Sequence, residues 1–164
     1  EQATERPGME VIDAGFADPQ TVAEVGQVDA ILLFDVLLRM VEPDWDQVLE
    51  LYAPATSSFV ITNPQWEGEA SVRLIDLGRE KYLQALPPWD AHRQLFDRLD
   101  EWHEGQKRPY RDSNVAWQWG ITDADLEAKM AELGFSPQQA WSLNAPPETE
   151  GFVNRAFVFT RSHL

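Results

Sequence analysis

Two apolar segments of the chain each lead into residues that could form a ligand site. The first ends in Phe34 and Asp35, and the second, residues 58–62, is followed by Asn63 and Trp66. Both segments are apolar at consecutive positions, which is typical of strands that are buried on both faces of a parallel sheet. Ligands of open parallel sheets bind at the carboxyl ends of the strands. We therefore expect the chemistry of this chain near these four side chains.

Histidines and carboxylates elsewhere in the chain could also act chemically. His92 and His103 fall in a predicted helix, and a histidine can serve as a general base near neutral pH. No nucleophile, cysteine or second metal ligand stands beside either of them, so the sequence favours plain surface or helix-face histidines. Four carboxylates of the same helix could suggest a metal, but their spacing favours the solvated side of the helix, and we expect no metal site. These carboxylates are Asp97, Asp100, Glu101 and Glu104.

Strand and helix patterns alternate in the first part of the chain, which predicts an α/β fold with right-handed crossovers. Trp45, Val48, Leu49 and Tyr52 form one apolar helical stripe. The predicted elements are a strand over residues 9–14, a helix from Asp18-Pro19 to Gly26, a strand over residues 30–34, a helix from Pro43-Asp44 to Pro54, and a strand over residues 58–62.

Residues 67–120 break this alternation and read as a helical lid inserted in a single domain that spans residues 1–164. The pattern predicts helices over residues 76–85 and 89–103. After the insertion, Thr122 to Asp125 is a capping box, and Gly134 ends the helix that follows. Two strands are expected next, over residues 138–143 and 154–160, and the second is apolar enough to be central.

Composition limits the classes of partner. The chain has 164 residues and no cysteine, which removes disulfides, thiolate zinc sites and thiol nucleophiles. Its net charge of −15 would on average repel nucleic acid, so we expect no nucleic-acid partner. No run is long and apolar enough for a membrane helix, and no leader pattern opens the chain. These features favour a cytoplasmic protein with a small or neutral partner.

The order of these elements resembles the C-terminal two-thirds of a class I S-adenosylmethionine-dependent methyltransferase. Residues 28–37 look like the fourth strand of that family and its turn, and residues 58–62 look like the fifth. Trp119 to Thr122, the capped helix and Leu133 to Phe135 look like the approach to the sixth strand. Residues 154–160 look like the antiparallel seventh strand. The resemblance implies a Rossmann-like methyltransferase sheet with S-adenosylmethionine as the cofactor.

The first two strands of that family have no counterpart in this sequence. No two glycines are separated by one residue, so the glycine-rich cofactor loop is not present. The acidic residue that holds the ribose has no evident counterpart either. In a sheet of order three-two-one-four-five-seven-six, this leaves an apolar edge on the fourth strand, which is a pairing hazard. Either the missing part was cut away, or another chain supplies it, or residues 9–14 pair with the fourth strand.

The resemblance also implies a cofactor site. The turn after the third strand holds the adenine in the family, and here this turn contains Phe16, Ala17 and Asp18. Asp18 could accept a hydrogen bond from the adenine amino group, or it could only cap the helix that begins at Pro19. Phe34 and Asp35 would face the methionine and sulfonium part, with the carboxylate on the ammonium group. The alternative is a core phenylalanine and an aspartate that caps the next turn.

Five further residues are predicted for the substrate pocket. Asn63, Gln65 and Trp66 follow the fifth strand, although a turn packed by Trp66 explains them equally well. They are similar to the Asn-Pro-Pro-aromatic motif of amino-group methyltransferases, but that motif follows the fourth strand, so its role is not transferred. Trp117 and Trp119 could form a wall of the pocket, and core packing is the alternative for both.

The function that this resemblance implies is methyl transfer from S-adenosylmethionine to a small molecule, with no assigned catalytic residue. The alternative is a non-enzymatic fragment or subunit with the same fold, which forms a homodimer or binds a complementing chain through the exposed edge of its sheet.

Overall fold

Helices alternate with strands through the first half of the computed structural model, which describes residues 10–143 and 149–162. The helices are α1 (Pro19–Val25), α2 (Trp45–Tyr52), α3 (Arg79–Ala85), α4 (Asp90–Leu95) and α5 (Asp123–Glu132). The strands are β1 (Ile31–Phe34), β2 (Ser58–Trp66), β3 (Val72–Arg73), β4 (Trp102–His103), β5 (Arg108–Pro109), β6 (Trp119–Gly120), β7 (Phe135–Ser142) and β8 (Phe152–Arg161). Short 3-10 turns lie at Leu37–Arg39, Ala53–Ala55, Leu74–Leu77 and Tyr110–Asp112.

The central sheet has the strand order β1-β2-β8-β7. β1 and β2 are parallel, and β8 runs antiparallel to both of its neighbours. This is the order predicted for the fourth, fifth, seventh and sixth strands of a methyltransferase sheet, so the predicted fold class is confirmed. β8 is central, as its apolar sequence indicated. Two small sheets, β3 with β6 and β4 with β5, lie outside the main one.

One face of the main sheet carries the core. Leu33, Phe59, Ile61, Phe157 and Phe159 are buried there against α2 and α5. The predicted stripe of α2 is confirmed, since its four apolar residues, Trp45, Val48, Leu49 and Tyr52, are all buried. Helix α5 adds Leu126 and Met130, and its Thr122 cap accepts from the Asp125 N–H at 3.1 Å, as the capping box predicted.

A second core lies within residues 67–120, which we call the inserted segment. It is built around Tyr82, whose hydroxyl donates to the Trp117 carbonyl at 3.0 Å. Leu38 and Phe152 from the main fold pack into the same cluster. The inserted segment therefore shares its core with the residues that follow β1 and with the start of β8.

Three predicted elements differ from the structure. Residues 10–14 form no strand, because no neighbouring strand satisfies their backbone and Val11 lies exposed. The helix predicted over residues 89–103 ends at Leu95, because Trp102 and His103 pair with residues 108–109 in a small hairpin instead. The helix predicted over residues 76–85 is interrupted at Gly78, whose φ of +82° separates a 3-10 turn from α3.

Strand β2 is longer than predicted. Residues 63–66 were expected to follow it, as substrate-pocket residues or as a turn packed by Trp66, but they continue pairing with residues 152–155 of β8. Pro64 is tolerated because β1 ends opposite Thr62 and the next bridge on that side, to Ile121, involves Gln65 and not Pro64. The Pro-rich loop expected between the last two strands falls largely on residues 144–148, which lie outside the described residues.

The two faces of β1 provide a direct stability test. Leu33 is 1% exposed and Leu32 is 57% exposed, although they are neighbours of the same residue type. We expect Leu33→Ala to lower the free energy of unfolding by about 2–5 kcal/mol, because it leaves a cavity in the core. Leu32→Ala, the matched control, should cost less than about 1 kcal/mol. Urea denaturation of both variants measures this, and an equal loss would mean that the outer face is also covered in solution.

Candidate functional site

A cavity of about 190 Å³ lies where the carboxyl ends of β1 and β2 meet the inserted segment. We call it the strand-end cavity. Three of the residues predicted for the site line it, namely Asp35, Asn63 and Trp117. The structure thus brings together residues from the ends of both parallel strands and from the inserted segment. Its lining is completed by Arg39, Thr62, Pro64, Trp89, Leu143, Asn154 and Arg155.

Asp35 is held at the end of β1 in an unusual backbone conformation. Its φ is +54°, in the left-handed region, and its N–H donates to the Thr62 carbonyl at 2.9 Å. Desolvation raises the pKa of its carboxyl group, and the nearby Arg39 charge opposes this rise. A non-glycine residue with positive φ at a strand end is a feature found at ligand sites.

Arg39 reaches the same cavity from the 3-10 turn after β1. Its Nη1 donates to the Asn114 carbonyl at 3.3 Å and to the Val115 carbonyl at 3.4 Å, so the inserted segment orients the guanidinium. Burial lowers the pKa of Arg39, partly offset by Asp35. Arg155, from β8, is paired with Asp123 at 2.8 Å.

Asn63 and Gln65 are buried on the core side of β2 and carry unsatisfied polar atoms. Asn63 Nδ2 donates to the Pro64 carbonyl at 2.9 Å, but its Oδ1 has no hydrogen-bond partner among the described residues. Both polar side-chain atoms of Gln65 are likewise unpartnered. A buried acceptor without a donor costs free energy, so such atoms mark places where a ligand or water would bind. Gln65 itself does not line the cavity.

Aromatic residues of the inserted segment form the far wall. The rings of Trp89 and Trp117 lie edge to face with their centroids 6.3 Å apart. Behind them His92 lies in α4, as a helix-face histidine would, but it is fully buried, so the surface alternative is wrong; its Nδ1 lies 2.9 Å from the Pro87 carbonyl. Because a carbonyl only accepts, Nδ1 carries the proton, and Nε2 is left as an unpartnered acceptor within the described structure.

Three other predicted residues lie outside the cavity. Phe34 is 55% exposed and points to the same face as Leu32. Trp66 lines a different, open cavity of about 470 Å³ beside Lys81. Trp119 is half-buried, and its Nε1 donates to the Met40 carbonyl at 3.0 Å.

The predicted adenine turn has a clear structural role. The Asp18 carboxylate accepts from the Gln20 N–H at 2.8 Å and so caps α1. Phe16 stacks on Tyr52, with the ring centroids 4.9 Å apart, and its carbonyl accepts from the Tyr52 hydroxyl at 2.6 Å. Ala17 packs partly against the main core. None of the three lines the strand-end cavity, and their contact with a cofactor stays a prediction.

Sequence reasoning missed Arg39, Arg155 and Trp89. Arg39 follows the strand end by only a few residues, which was the one available signal for it. Arg155 and Trp89 reach the cavity through tertiary contacts, which leave no local pattern.

Two searches among the described residues gave negative results. No group of three or more His, Asp or Glu side chains comes together where it could hold a metal ion. No helix in this part of the chain has the length and hydropathy needed to cross a bilayer.

Comparison with solved structures identifies the fold. Mitomycin 7-O-methyltransferase MmcR is 12% identical with a TM-score of 0.50, over 93% of this chain and 34% of that one. LepI in complex with SAM is 16% identical with a TM-score of 0.48, over 91% of this chain and 29% of the other. Magnesium protoporphyrin IX methyltransferase from Synechocystis PCC 6803 with bound SAM is 12% identical with a TM-score of 0.44, over 84% and 40%.

The likeness to MmcR, together with the strand order of the sheet, shows a class I S-adenosylmethionine-dependent methyltransferase-like fold. The chain spans between 29% and 40% of these three proteins. No family model matches the sequence, and no curated protein matches it significantly.

Burial of His92 predicts a pH-dependent stability. The pKa of its ring is lowered, mainly because burial disfavours the charged form. As the pH drops through about 6.5, His92 therefore binds a proton in the unfolded chain but not in the folded chain. The free energy of unfolding falls over the same pH range. We expect His92→Asn, which keeps a donor for Pro87, to remove a slope of up to about 1.4 kcal/mol per pH unit between about pH 7 and 5.5.

The measurement is urea unfolding of wild type and variant across this pH range. Only their difference is interpreted, because the pKa values of Asp35 and Asp123 are raised by burial and act with the opposite sign at lower pH. Parallel pH profiles for the two proteins would contradict the assignment of a buried, neutral His92.

Proposed function

We propose that this chain takes part in methyl transfer from S-adenosylmethionine to a small molecule. The observation that carries the proposal is the strand-end cavity, which places a carboxylate, an oriented arginine and an aromatic wall at the carboxyl ends of parallel strands. The methyltransferase-like fold supports the reaction class, and no membrane or nucleic-acid partner is needed for it. The acidic, cysteine-free composition is consistent with a cytoplasmic location.

Two residues of β1 and its turn suit the methionine end of the cofactor. Asp35 makes no ion pair within 4.0 Å in the described structure, so its carboxylate is open to the cofactor ammonium group. The exposed Phe34 ring can contact a sulfonium cation. Phe16, Ala17 and Asp18 remain the proposed adenine turn. Because the glycine-rich loop is not in these 164 residues, we expect weak cofactor binding by this chain alone.

The chemistry needs little from the side chains. The cofactor, held by Asp35 and Phe34, would supply a methyl group on a sulfonium, which is already a good leaving group. The proton of the acceptor atom would pass to solvent, because Asp35, the carboxylate of the cavity lining, is already proposed for the cofactor ammonium group. The protein contributes mainly by orienting the acceptor, with Asn63 and Trp117 as proposed contacts. Gln65, Trp66 and Trp119 remain proposed substrate-pocket residues that support this wall from outside the cavity.

Calorimetric titration with S-adenosylmethionine and its demethylated product tests this function. The sample is the full natural protein that contains these 164 residues. We expect saturable binding, which Asp35→Asn should weaken by about tenfold to a hundredfold, because a hydrogen bond to a charged group is lost. Asp100→Asn is the matched control, since Asp100 is exposed and does not line the cavity. Absence of binding at millimolar ligand would rule the proposal out.

A second function is favoured by the uncovered edge of the sheet. In the described part of the chain β1 pairs only with β2, and both Leu32 and Phe34 are more than half exposed. An unpaired apolar edge is a template for strand addition. We propose as the alternative that this edge binds a complementing chain or a second copy of the protein, without catalysis by this chain.

Light scattering over a concentration series tests the alternative. We expect a mass above the 18.7 kDa of one chain, and Leu32→Lys should return it to that value because a charge blocks edge pairing. Val11→Lys is the matched control, since Val11 is exposed but lies outside the sheet. A monomer whose β1 amide protons resist hydrogen exchange would contradict this function, because the edge would then be covered within the chain.

A further inference from the structure

Arg39, at the wall of the strand-end cavity, has no ion pair within 4.0 Å in the described structure, although the Asp35 charge acts on it from a longer distance. In the described structure no carboxylate lies within 4.0 Å of it, and its Nη1 donates only to the Asn114 and Val115 carbonyls. Arg155, the other arginine of this wall, differs because Asp123 pairs with it at 2.8 Å. Arg39 is thus oriented by neutral carbonyl groups, and its positive charge is available to pair with an anionic ligand in the cavity.

The anion that pairs with Arg39 must fit a small aromatic space. Trp89 and Trp117 meet at an interplanar angle of 89°, so a flat ring can stack on one and contact the edge of the other. The cavity volume is about 190 Å³. An apolar cavity of about 150 Å³ holds benzene, so there is room for one ring with small substituents and for little more.

The third requirement comes from Asn63. Its Oδ1 is buried and unpartnered among the described residues, while its Nδ2 is already used by the Pro64 carbonyl. An acceptor of this kind is satisfied only by a donor, such as a hydroxyl or amino group on the ligand. The lining of the cavity therefore combines a cation, an aromatic corner and a residue whose buried acceptor is unsatisfied in the described structure.

We infer that the strand-end cavity binds a monocyclic aromatic carboxylate that carries a hydroxyl or amino group. The carboxylate pairs with Arg39, the ring packs against Trp89 and Trp117, and the donor group bonds to Asn63 Oδ1. The further step, that this ligand is the methyl acceptor, rests on the function proposed above. Binding of the ligand does not depend on that function. The chain has a net charge of −15, which on average repels anions. The positive charge of Arg39 offsets this repulsion locally and allows a small anion to bind.

A cationic ligand is the competing class, since Asp35 and two tryptophan faces would also suit an ammonium group. The unpaired guanidinium of Arg39 on the same wall opposes it, whereas Arg155 is neutralised by Asp123. Benzoate and benzylammonium therefore separate the two classes, and benzamide and acetate show what the charge and the ring contribute alone. Trp89 and Trp117 line the cavity, so quenching of tryptophan fluorescence reports binding of each probe, with calorimetry as confirmation.

The titrations are made on the intact protein and on Arg39→Gln. We expect benzoate to bind about tenfold to a hundredfold more tightly than benzamide or acetate, and Arg39→Gln to remove this advantage while leaving benzamide binding unchanged. 4-Hydroxybenzoate or 2-aminobenzoate should bind more tightly than benzoate in the wild type. Arg98→Gln is the matched control, because it removes the same charge outside the cavity lining.

Each outcome of these titrations either supports or overturns the proposed ligand class. Equal affinity for benzoate and benzamide, tighter binding of benzylammonium, or an unchanged benzoate affinity in Arg39→Gln overturns the ligand class. Retained benzamide binding and an unchanged melting temperature show that the variant is folded. If the cofactor product binds to the same sample and benzoate does not, this inference fails alone. If benzoate binds selectively and the cofactor does not, the ligand class stands and the methyl-transfer proposal fails.

Discussion

Strands β2 and β8 pair over nine consecutive residues, from Ser58 with Thr160 to Trp66 with Phe152, and the main sheet and its core are built on this pair. β1 joins one side, β7 joins the other, and the inner phenylalanines of the pair form the core with α2 and α5. The register matters because a slip by one residue exchanges the two faces. Such a slip would turn Asn63 away from its buried position and bring Pro64 into the core.

The inserted segment is joined to the strand end by backbone carbonyl groups. Gln118 donates its N–H to the Leu38 carbonyl at 2.8 Å, Trp119 donates to Met40, and Arg108 donates to the Val41 carbonyl at 2.7 Å. The turn after β1 is therefore held at three of its residues by side chains and backbone of the inserted segment. Because Arg39 lies within this turn, the position of its guanidinium depends on how the inserted segment packs, as well as on the sheet.

Sequence patterns predicted the parts of this structure that local periodicity controls. Consecutive apolar residues identified β1 and β2, and the Thr122 cap with Gly134 bounded α5 closely. Local patterns failed where pairing between distant residues determines the structure. Strand β2 extends to Trp66 because β8 continues beside it. Trp102 and His103, which were expected in a helix, form a hairpin with residues 108–109. Asp35 and Asn63, which line the strand-end cavity, were predicted because each follows a run of consecutive apolar residues. Arg39 was missed because its partners are carbonyls distant in sequence.

Burial of the two charges at the cavity is a cost that packing does not recover. Desolvation raises the pKa of Asp35 and lowers that of Arg39, so each charged form is disfavoured by its surroundings. A close ion pair would offset this cost, yet none forms between them within 4.0 Å in the described structure. Charges held apart in this way stabilise a ligand better than they stabilise the empty fold. By mass action, whatever fills the cavity should therefore also stabilise the turn after β1 and the inserted segment that holds it.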